Sequence, residues 1–297
     1  MPKGHDGRAQ PAGSVLVYAS PAPPGGEPYL EVWKDASNEE AFLTVRHAFG
    51  SGRALFVMNR EGSRIQAHLS EGLPFQDAIT YFLGPVLGCL LRLRQVTCLH
   101  AGVAVIGGRA LALIGPKGSG KSTTVAALAY LGCEVLSDDI AVLAEAADGF
   151  LVQPGYPQLR LRQEILPVLP DPQGTELPRI LSFADKRFQR LSTAPAAPRW
   201  KFQPVPVPLG AVFLLSERGP LESPVVVRLT APEGLLALSG NVYPDYQREP
   251  DEHHRDFRFL GRLSRAVPVC RLSLPDDLGR ILSTGEAIRQ EFLGIRT

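Results

Sequence analysis

The sequence predicts an α/β fold preceded by a small β-rich region, and three observations carry this prediction. Residues 15–71 contain short segments of strand-like alternation, separated by turns rich in Pro and Gly. An apolar strand, Ala110 to Ile114, runs into a glycine-rich loop that opens a helix at about Ser122. A second short strand, 134–137, follows that helix and ends in two aspartates. Strands that alternate with helices in this way are typical of an α/β domain.

Composition and spacing divide the chain into three parts. We expect a polar, disordered leader over 1–13, a small β-rich region over 14–94 and an α/β domain over 95–297. The β-rich region is predicted to end in a helix from about Phe75 to Leu93 that is kinked at Pro85. Residues 184–208 are polar, basic and rich in proline, which predicts a mobile loop near a site.

Charge and cysteine usage exclude several classes of protein. The 297 residues carry 31 Lys and Arg against 30 Asp and Glu, so the balance indicates neither a nucleic-acid partner nor a membrane surface. The most apolar stretch, 78–91, is shorter than the ~20 residues that span a bilayer. No signal-peptide core is present at the N-terminus. The four cysteines show no CxxC pairing, which argues against zinc and disulfides. We therefore expect a cytoplasmic protein with no membrane partner and with buried, reduced thiols.

Residues 115–122 satisfy the phosphate-binding pattern G-x-x-x-x-G-K-[ST], which is called a P-loop. Residue frequencies alone produce such a match in on the order of a few per cent of chains this long, and the flanking strand and helix lower that figure. Glycines let backbone N–H groups turn inward around phosphate oxygens, and the dipole of the following helix favours the same anion. The pattern predicts a nucleoside triphosphate ligand, with ATP as phosphoryl donor, held by Gly115, Pro116, Lys117, Gly118, Ser119, Gly120, Lys121, Ser122 and Thr123.

Within this loop, two side chains have specific expected roles. Lys121 is expected to reach the β and γ phosphates, and the Ser122 hydroxyl is expected to ligate Mg²⁺.

Asp138 and Asp139 form a second candidate element. Strand 134–137 is expected to lie beside the P-loop strand, which would bring its C-terminal end toward the phosphates. One carboxylate can then hold Mg²⁺, and the other can accept the proton of an attacking hydroxyl. An isolated acidic pair is commonly a solvated turn, but its place after an apolar strand and a P-loop favours the site.

His100 begins a strand that hairpins through Gly107 and Gly108 into the P-loop strand. A lone histidine at a strand start is more often structural than catalytic. Residue type and position alone leave both a structural and a catalytic role open for His100.

Together these residues resemble the HPr kinase/phosphorylase family and its shorter HPr-kinase-like relatives of lasso-peptide maturation clusters. The resemblance is carried by Leu99 to Gly102, by Gly115 to Thr123 and by Leu136 to Asp139, at spacings like the family's. It covers roughly 95–215 well and extends more loosely through 267–272.

The resemblance implies a P-loop kinase core with a mixed sheet, similar to phosphoenolpyruvate carboxykinase. It also implies magnesium-dependent phosphoryl transfer from a nucleotide to a serine hydroxyl. By position, Lys121 would bind phosphate, and Ser122 and Asp138 would bind magnesium. Asp139 would be the base, and His100 would orient it.

The sequence departs from the family in two places. Residues 154–161 replace the family's Ile-Arg-Gly-Leu-Gly type signature, so Glu164 is only a weak candidate for a further magnesium carboxylate. The family's substrate loop is not recognisable, which makes HPr itself an unexpected substrate. Lys186 resembles a basic position of the relatives' mobile loop and would clamp the transferred phosphoryl group; a solvated loop lysine is the alternative.

The leading hypothesis is a kinase acting on a hydroxyl, as in a Ser or Thr of a peptide or small protein. Two alternatives stay open: a kinase for a sugar, nucleoside or alcohol, and a nucleotide-binding sensor without transfer. The presence of both aspartates argues against the sensor, because a sensor needs no base. The sequence leaves open whether the protein forms a homo-oligomer.

Overall fold

A computed structural model describes residues 11–49, 52–169, 177–181, 185–194, 196–216, 218–246 and 249–295. The expected leader, 1–13, therefore lies outside the described residues except for its last three. The chain divides into two compact units. The first comprises Met1–Gln95 with Tyr246–Arg248, and the second comprises Val96–Asp245 with Glu249–Thr297.

The first unit contains a five-stranded antiparallel sheet whose strands pair in chain order. Its core includes the fully buried Val32, Val45 and Val86. Its elements are β1 Val15–Ala19, β2 Leu30–Lys34, β3 Leu43–Phe49, β4 Gly52–Met58, β5 Ile65–Leu69, α1 Phe75–Tyr81 and α2 Leu87–Leu93.

The predicted kink at Pro85 is confirmed, and it takes the form of a π-helical turn. This turn, Phe82–Val86, separates α1 from α2. Proline removes a helical N–H and crowds the preceding turn, so a widened turn at this point is a common accommodation.

The second unit is built on a ten-stranded mixed sheet. A separate two-stranded ribbon and four α-helices complete it, with bounds as follows: β6 Cys98–His100, β7 Gly102–Ile106, β8 Arg109–Ile114, α3 Lys121–Tyr130, β9 Glu134–Ser137, β10 Ile140–Ala146, β11 Gly149–Gln153, β12 Gln158–Arg162, β13 Lys186–Arg190, β14 Lys201–Phe202, β15 Val207–Leu215, β16 Val225–Arg228, α4 Ala231–Ser239, α5 Pro250–Ala266, β17 Val269–Ser273 and α6 Ile281–Gly294.

Strand β8, which precedes the glycine-rich loop, lies inside the sheet order β14-β9-β7-β8-β15-β11-β10-β6. The expectation that β9 lies beside β8 is wrong. Strand β7, which a hairpin turn joins to β8, lies between β9 and β8 and pairs with both. Since β7 is antiparallel to both strands, β9 still runs parallel to β8. Strand β15 is parallel to β8 on its other side. The C-terminal ends of β9, β8 and β15 therefore meet at one edge of the sheet.

Helices cover both faces of the sheet. Leu111 and Leu113 of β8 pack in one core with residues of α3 and α6, while Ala112 and Ile114 pack in another with residues of α4 and α5. Because successive side chains of a strand point to opposite faces, a strand covered on both sides reads as a continuous apolar run. This explains why β8 carries no polar side chain after Arg109.

The structure differs from the predicted elements in four places. Residues 186–190 and 201–202 lie in strands rather than in a mobile loop, and Trp200 between them is buried. Residues 184 and 195 of the predicted loop lie outside the described residues. Strand β12 was not predicted from the sequence. Strand β3 was missed because Thr44 and His47 are polar yet buried. Helix α5 was missed because few of its 17 residues are apolar; it begins at a capping box formed by Glu249 and Glu252.

All four cysteines are buried, as predicted. No helix in the described ranges combines the length and the apolar character needed to cross a bilayer.

Phe292 of α6 offers a test of the core beside β15. Its ring is fully buried, and a Cβ added to Gly210 would lie only 2.7 Å from ring atom Cζ. We expect Phe292→Ala to lower the free energy of unfolding by about 3–5 kcal/mol, the usual cost of an aromatic deletion in a packed core. The neighbouring Leu293 is 48% exposed, so Leu293→Ala should cost less than about 1 kcal/mol. Urea unfolding of both variants measures the difference, and equal losses would contradict the packing.

Candidate functional site

The glycine-rich loop links β8 to α3 in the predicted strand–loop–helix order. Gly115, Gly118 and Gly120 have φ angles of 142°, 88° and 102°, a region that side chains rarely adopt. Gly120 caps α3 in the left-handed conformation. These three glycines let the chain curl back on itself at the N-terminus of α3, where unpaired N–H groups and the helix dipole favour an anion.

Lys121 lies at the start of α3 and folds back over the loop. Its Nζ donates to the carbonyl oxygens of Gly115, at 2.7 Å, and Pro116, at 3.2 Å. Burial lowers the pKa of Lys121, and the charges of Asp139 and Asp138 act in the opposite direction. A buried ammonium group therefore lies between the loop and the acidic pair.

Asn241 was not singled out in the sequence, yet it joins two of the predicted elements. Its side-chain Oδ1 accepts a hydrogen bond from Gly115 N at 2.9 Å, and its carbonyl oxygen accepts one from His100 N at 2.8 Å. Only the fold brings this residue, 126 positions away in the chain, to the start of the loop. An asparagine after a helix has no local signal that would mark it.

The two aspartates lie where a pair of strands bends. Val103 of β7 pairs with Ser137 of β9, and His100 of β6 pairs with Ile140 of β10. Asp138 and Asp139 occupy the break between these two ladders. The bend places both carboxylates at the sheet edge where β8 also ends.

Asp138 is buried, with 4% of its surface exposed. Its Oδ2 accepts a hydrogen bond from Arg160 N at 2.8 Å, and its Oδ1 is buried without a hydrogen-bond partner among the described residues. Burial, followed by the charge of Asp139, raises the pKa of Asp138 to about 7, while the nearby Ser122 hydroxyl opposes the shift. An unpartnered carboxylate oxygen beside a hydroxyl is a pair of hard oxygen donors.

This donor pair fits magnesium. Mg²⁺ ordinarily takes one or two protein oxygens and completes its shell with water and phosphate oxygens. In the described parts of the chain, no group of three or more His, Cys, Asp or Glu side chains is placed to hold a metal ion. Ser122 and Asp138 are thus the residues that would hold Mg²⁺ together with a phosphate ligand.

Arg160, on β12, is the main residue that the sequence did not indicate. Its Nη1 forms an ion pair with Asp139 Oδ2, and its Nε and Nη2 are buried without partners among the described residues. Burial opposes the charge of Arg160, but the carboxylate of Asp139 outweighs it and raises the pKa of the guanidinium. Arg160 keeps its charge at any physiological pH and has spare donors beside both aspartates.

His100 is near Asp139 but does not hold it. The distance from His100 Nδ1 to Asp139 Oδ1 is 3.7 Å, which is too long for a hydrogen bond. Burial lowers the pKa of His100 despite the opposing charge of Asp139, so the ring is neutral at neutral pH. The ring stacks on Tyr243, with centroids 5.7 Å apart. The direct contact that was expected from His100 is made by Arg160 instead, because β12 brings a longer, charged side chain to the same carboxylate.

Lys186 and Glu164 lie at the end of the β12–β13 ribbon. Arg162 pairs with Lys186 across the ribbon, and a cavity of about 470 Å³ there is lined by Arg162, Gln163, Glu164, Asp185 and Lys186. Burial lowers the pKa of Lys186, and the next effect is the attraction of Asp139. Lys186 therefore belongs to the electrostatic surroundings of the acidic pair. Glu164 is exposed, and its ion-pair contact is with Arg162 at 3.7 Å.

The raised pKa of Asp138 predicts a pH-dependent stability. The unfolded chain ionises this group near its ordinary pKa of about 3.9. The folded chain holds the proton up to about pH 7. Ionisation therefore favours the unfolded state, and the free energy of unfolding should fall as pH rises through this window.

Asp138→Asn removes this titration. In metal-free buffer, we expect its melting temperature relative to the parent to rise between about pH 4 and pH 7 and then to level off. Asp148→Asn, in the exposed turn between β10 and β11, is the matched control and should show no such trend. Thermal unfolding followed by circular dichroism measures both, and a difference for Asp138→Asn that is constant with pH would contradict the shift.

No protein-family model and no curated protein sequence matches the chain. Among solved structures, the chain is similar to the HPr(Ser) kinase/phosphatase from Coxiella burnetii, with 12% sequence identity and a TM-score of 0.32. That match covers 66% of this chain and 96% of the other. A TM-score this low carries no information on function.

Proposed function

We propose that this protein transfers the γ-phosphoryl group of a nucleoside triphosphate, with ATP as donor, to the hydroxyl of a Ser or Thr in a peptide or small protein. One observation carries the proposal: a glycine-rich loop with a buried lysine ends at the same sheet edge as two adjacent aspartates in different surroundings. The loop provides for anion binding, and the aspartates provide for metal binding and proton removal.

The two aspartates divide these tasks by their surroundings. Asp138 is buried, has a free oxygen and lies beside Ser122, so it serves the metal. Asp139 is less buried, with 24% of its side chain exposed, and its carboxylate is reachable by an acceptor. When bound, Mg²⁺ would neutralise part of the phosphate charge.

Proton transfer then rests on Asp139. The acceptor hydroxyl gives its proton to the Asp139 carboxylate while its oxygen bonds to the γ-phosphorus, and the bond from that phosphorus to the bridging oxygen breaks. Lys121 stabilises the charge on the leaving diphosphate. Arg160 holds the Asp139 carboxylate in place through their ion pair, and its unpartnered Nε and Nη2 offer donors to the transferred group.

A polar acceptor suits the surroundings of Asp139. Among the described residues, the side chains that line the cavity at the β12–β13 ribbon are charged or polar, and the charge of Asp139 acts on Lys186 of this set. Such a lining favours a hydrophilic chain segment over an apolar small molecule. This supports a peptide or protein hydroxyl, in keeping with the sequence resemblance to kinases of peptide-maturation clusters.

Removing the Lys121 ammonium tests nucleotide binding. For Lys121→Ala we expect a Kd for MgATP that is about 10- to 100-fold higher, since a charge-assisted hydrogen bond contributes roughly 1.5–3 kcal/mol. Lys34→Ala, which removes the same charge in the first unit, should leave the Kd unchanged. Isothermal titration calorimetry measures both. Parental affinity in Lys121→Ala would refute the phosphate-binding role of the loop.

The transfer step depends on Asp139. We expect Asp139→Asn to bind MgATP within a few-fold of the parent but to transfer phosphate at least ~100-fold more slowly, as loss of a general base usually does. Arg160→Ala should lower transfer in the parent and add little in the Asp139→Asn background, because residues that act as a unit are not additive. His100→Ala should cost less than Arg160→Ala, since Arg160 forms an ion pair with the carboxylate whereas His100 Nδ1 lies 3.7 Å from it. Additive losses for Arg160 and Asp139 would contradict this coupling.

The substrate class is tested with γ-labelled ATP, Mg²⁺ and a panel of acceptors. The panel contains Ser- and Thr-bearing peptides with Ala-substituted controls, then sugars, nucleosides and alcohols. Label in a hydroxyl-bearing peptide supports the proposal. Label found only in a small molecule would mean that the acceptor is a small molecule and not a peptide. Tight ATP binding without any labelled product would indicate a sensor.

A further inference from the structure

We infer that the cavity between the glycine-rich loop and the C-terminal end of β15 binds the base and ribose of the donor nucleotide. Arg218 forms part of the wall of this cavity and contacts the base. The cavity has a volume of about 550 Å³ and is lined by Pro116, Gly118, Ser119, Leu215, Ser216 and Arg218. The inference rests on the proposed function and specifies which side of the loop the nucleoside occupies.

Sheet topology decides the direction of the triphosphate. The strand ends at this edge come in the order β9, β7, β8, β15, with β9, β8 and β15 parallel. The acidic pair follows β9, the loop follows β8, and Ser216 and Arg218 follow β15. The loop thus lies between the acidic pair and the β15 cavity. Because the γ-phosphate must lie beside Asp139 for transfer, the phosphate chain crosses the loop and its nucleoside end points toward β15.

The size of the cavity suits this occupant. Small-molecule pockets commonly measure roughly 300–1,000 Å³ and combine apolar walls with a few polar groups. Leu215 and Pro116 provide apolar wall. Ser119 Oγ is buried without a hydrogen-bond partner among the described residues, a state that a ribose hydroxyl would satisfy.

Arg218 is placed to contact the nucleoside. Its Nη2 lies 2.4 Å from where a Cβ on Gly120 would be, so the guanidinium packs directly against the loop at Gly120. In the described part of the chain, Arg218 makes a single long hydrogen bond, from Nη1 to Pro275 O at 3.4 Å, and has no carboxylate partner. A half-buried, unneutralised guanidinium can stack on the face of a base and donate to its ring acceptors.

The acceptor is excluded from this cavity by the same topology. A hydroxyl that binds beside β15 would be separated from Asp139 by the loop. Lys186, which lines the ribbon cavity, is electrostatically coupled to Asp139. Donor and acceptor therefore approach the loop from opposite sides.

The test compares ATP with inorganic tripolyphosphate, both with Mg²⁺, by calorimetric titration. The parent should bind ATP at least ~10-fold more tightly than tripolyphosphate, a difference of about 1.4 kcal/mol. Arg218→Ala should raise the Kd for ATP about 10-fold and change that for tripolyphosphate less than about 2-fold, since only ATP carries a base on which the guanidinium can stack. Arg271→Ala removes an exposed arginine from the neighbouring strand β17 and should change neither value.

The outcomes separate the two proposals. Equal losses of ATP and tripolyphosphate binding in Arg218→Ala would make Arg218 a phosphate ligand and overturn the nucleoside assignment. A parent that binds both ligands equally, in a Lys121-dependent manner, would overturn the assignment while leaving the proposed function standing. A parent that binds neither would overturn the proposed function itself.

Photolabelling of the parent protein gives a second measurement that needs no variant. With 8-azido-ATP and Mg²⁺, label should map to peptides covering 116–119 or 215–221. Label confined to 156–190 would place the base on the acidic side of the loop and overturn the inference.

Discussion

Strand β8 lies between two layers of helices, and this burial determines where the polar groups of the site can be. A strand covered on both faces accepts only apolar side chains along its length, so chemistry can begin only where it ends. The parallel strands β9 and β15 end at the same edge. The loop after β8, the acidic pair after β9 and Arg218 after β15 are therefore brought together by the direction of three strands.

Electrostatic balance is the second organising feature. Lys121, Arg160 and Lys186 carry positive charge around Asp138 and Asp139, and burial keeps Asp138 protonated up to about pH 7. The cluster thus has more positive than negative charge, and Lys121 and Arg160 carry two of these charges on largely buried side chains. Such a cluster is costly by itself and is relieved by an anion, which is what a nucleoside triphosphate provides.

A transfer site needs its donor and acceptor on opposite sides of the reacting phosphate. In the proposed arrangement, the β15 cavity takes the nucleoside and the β12–β13 ribbon takes the hydroxyl. The loop then holds the phosphates between them, and Asp139 faces the acceptor side. This division follows from strand order and does not depend on the identity of the acceptor.

The sequence by itself determined the elements whose physics is local. The glycines of the loop, the apolar run of β8, the hairpin at Gly107 and the acidic pair after β9 all follow from neighbouring residues, and the strand–loop–helix order and the kink at Pro85 were predicted correctly. The sequence could not place β7 between β9 and β8, nor join residues 186–190 to β12, because strand pairing depends on distant partners.

Tertiary structure alone decided which side chains meet. Asn241 reaches Gly115 from 126 positions away, and Arg160 takes the contact with Asp139 that was expected from His100. Arg218 lies against Gly120 only because β15 runs parallel to β8. The pKa of Asp138 likewise depends on burial, which no local pattern encodes. Hydrogen bonds and desolvation depend on residues that are close in space but distant in sequence, so they cannot be predicted from the local sequence pattern.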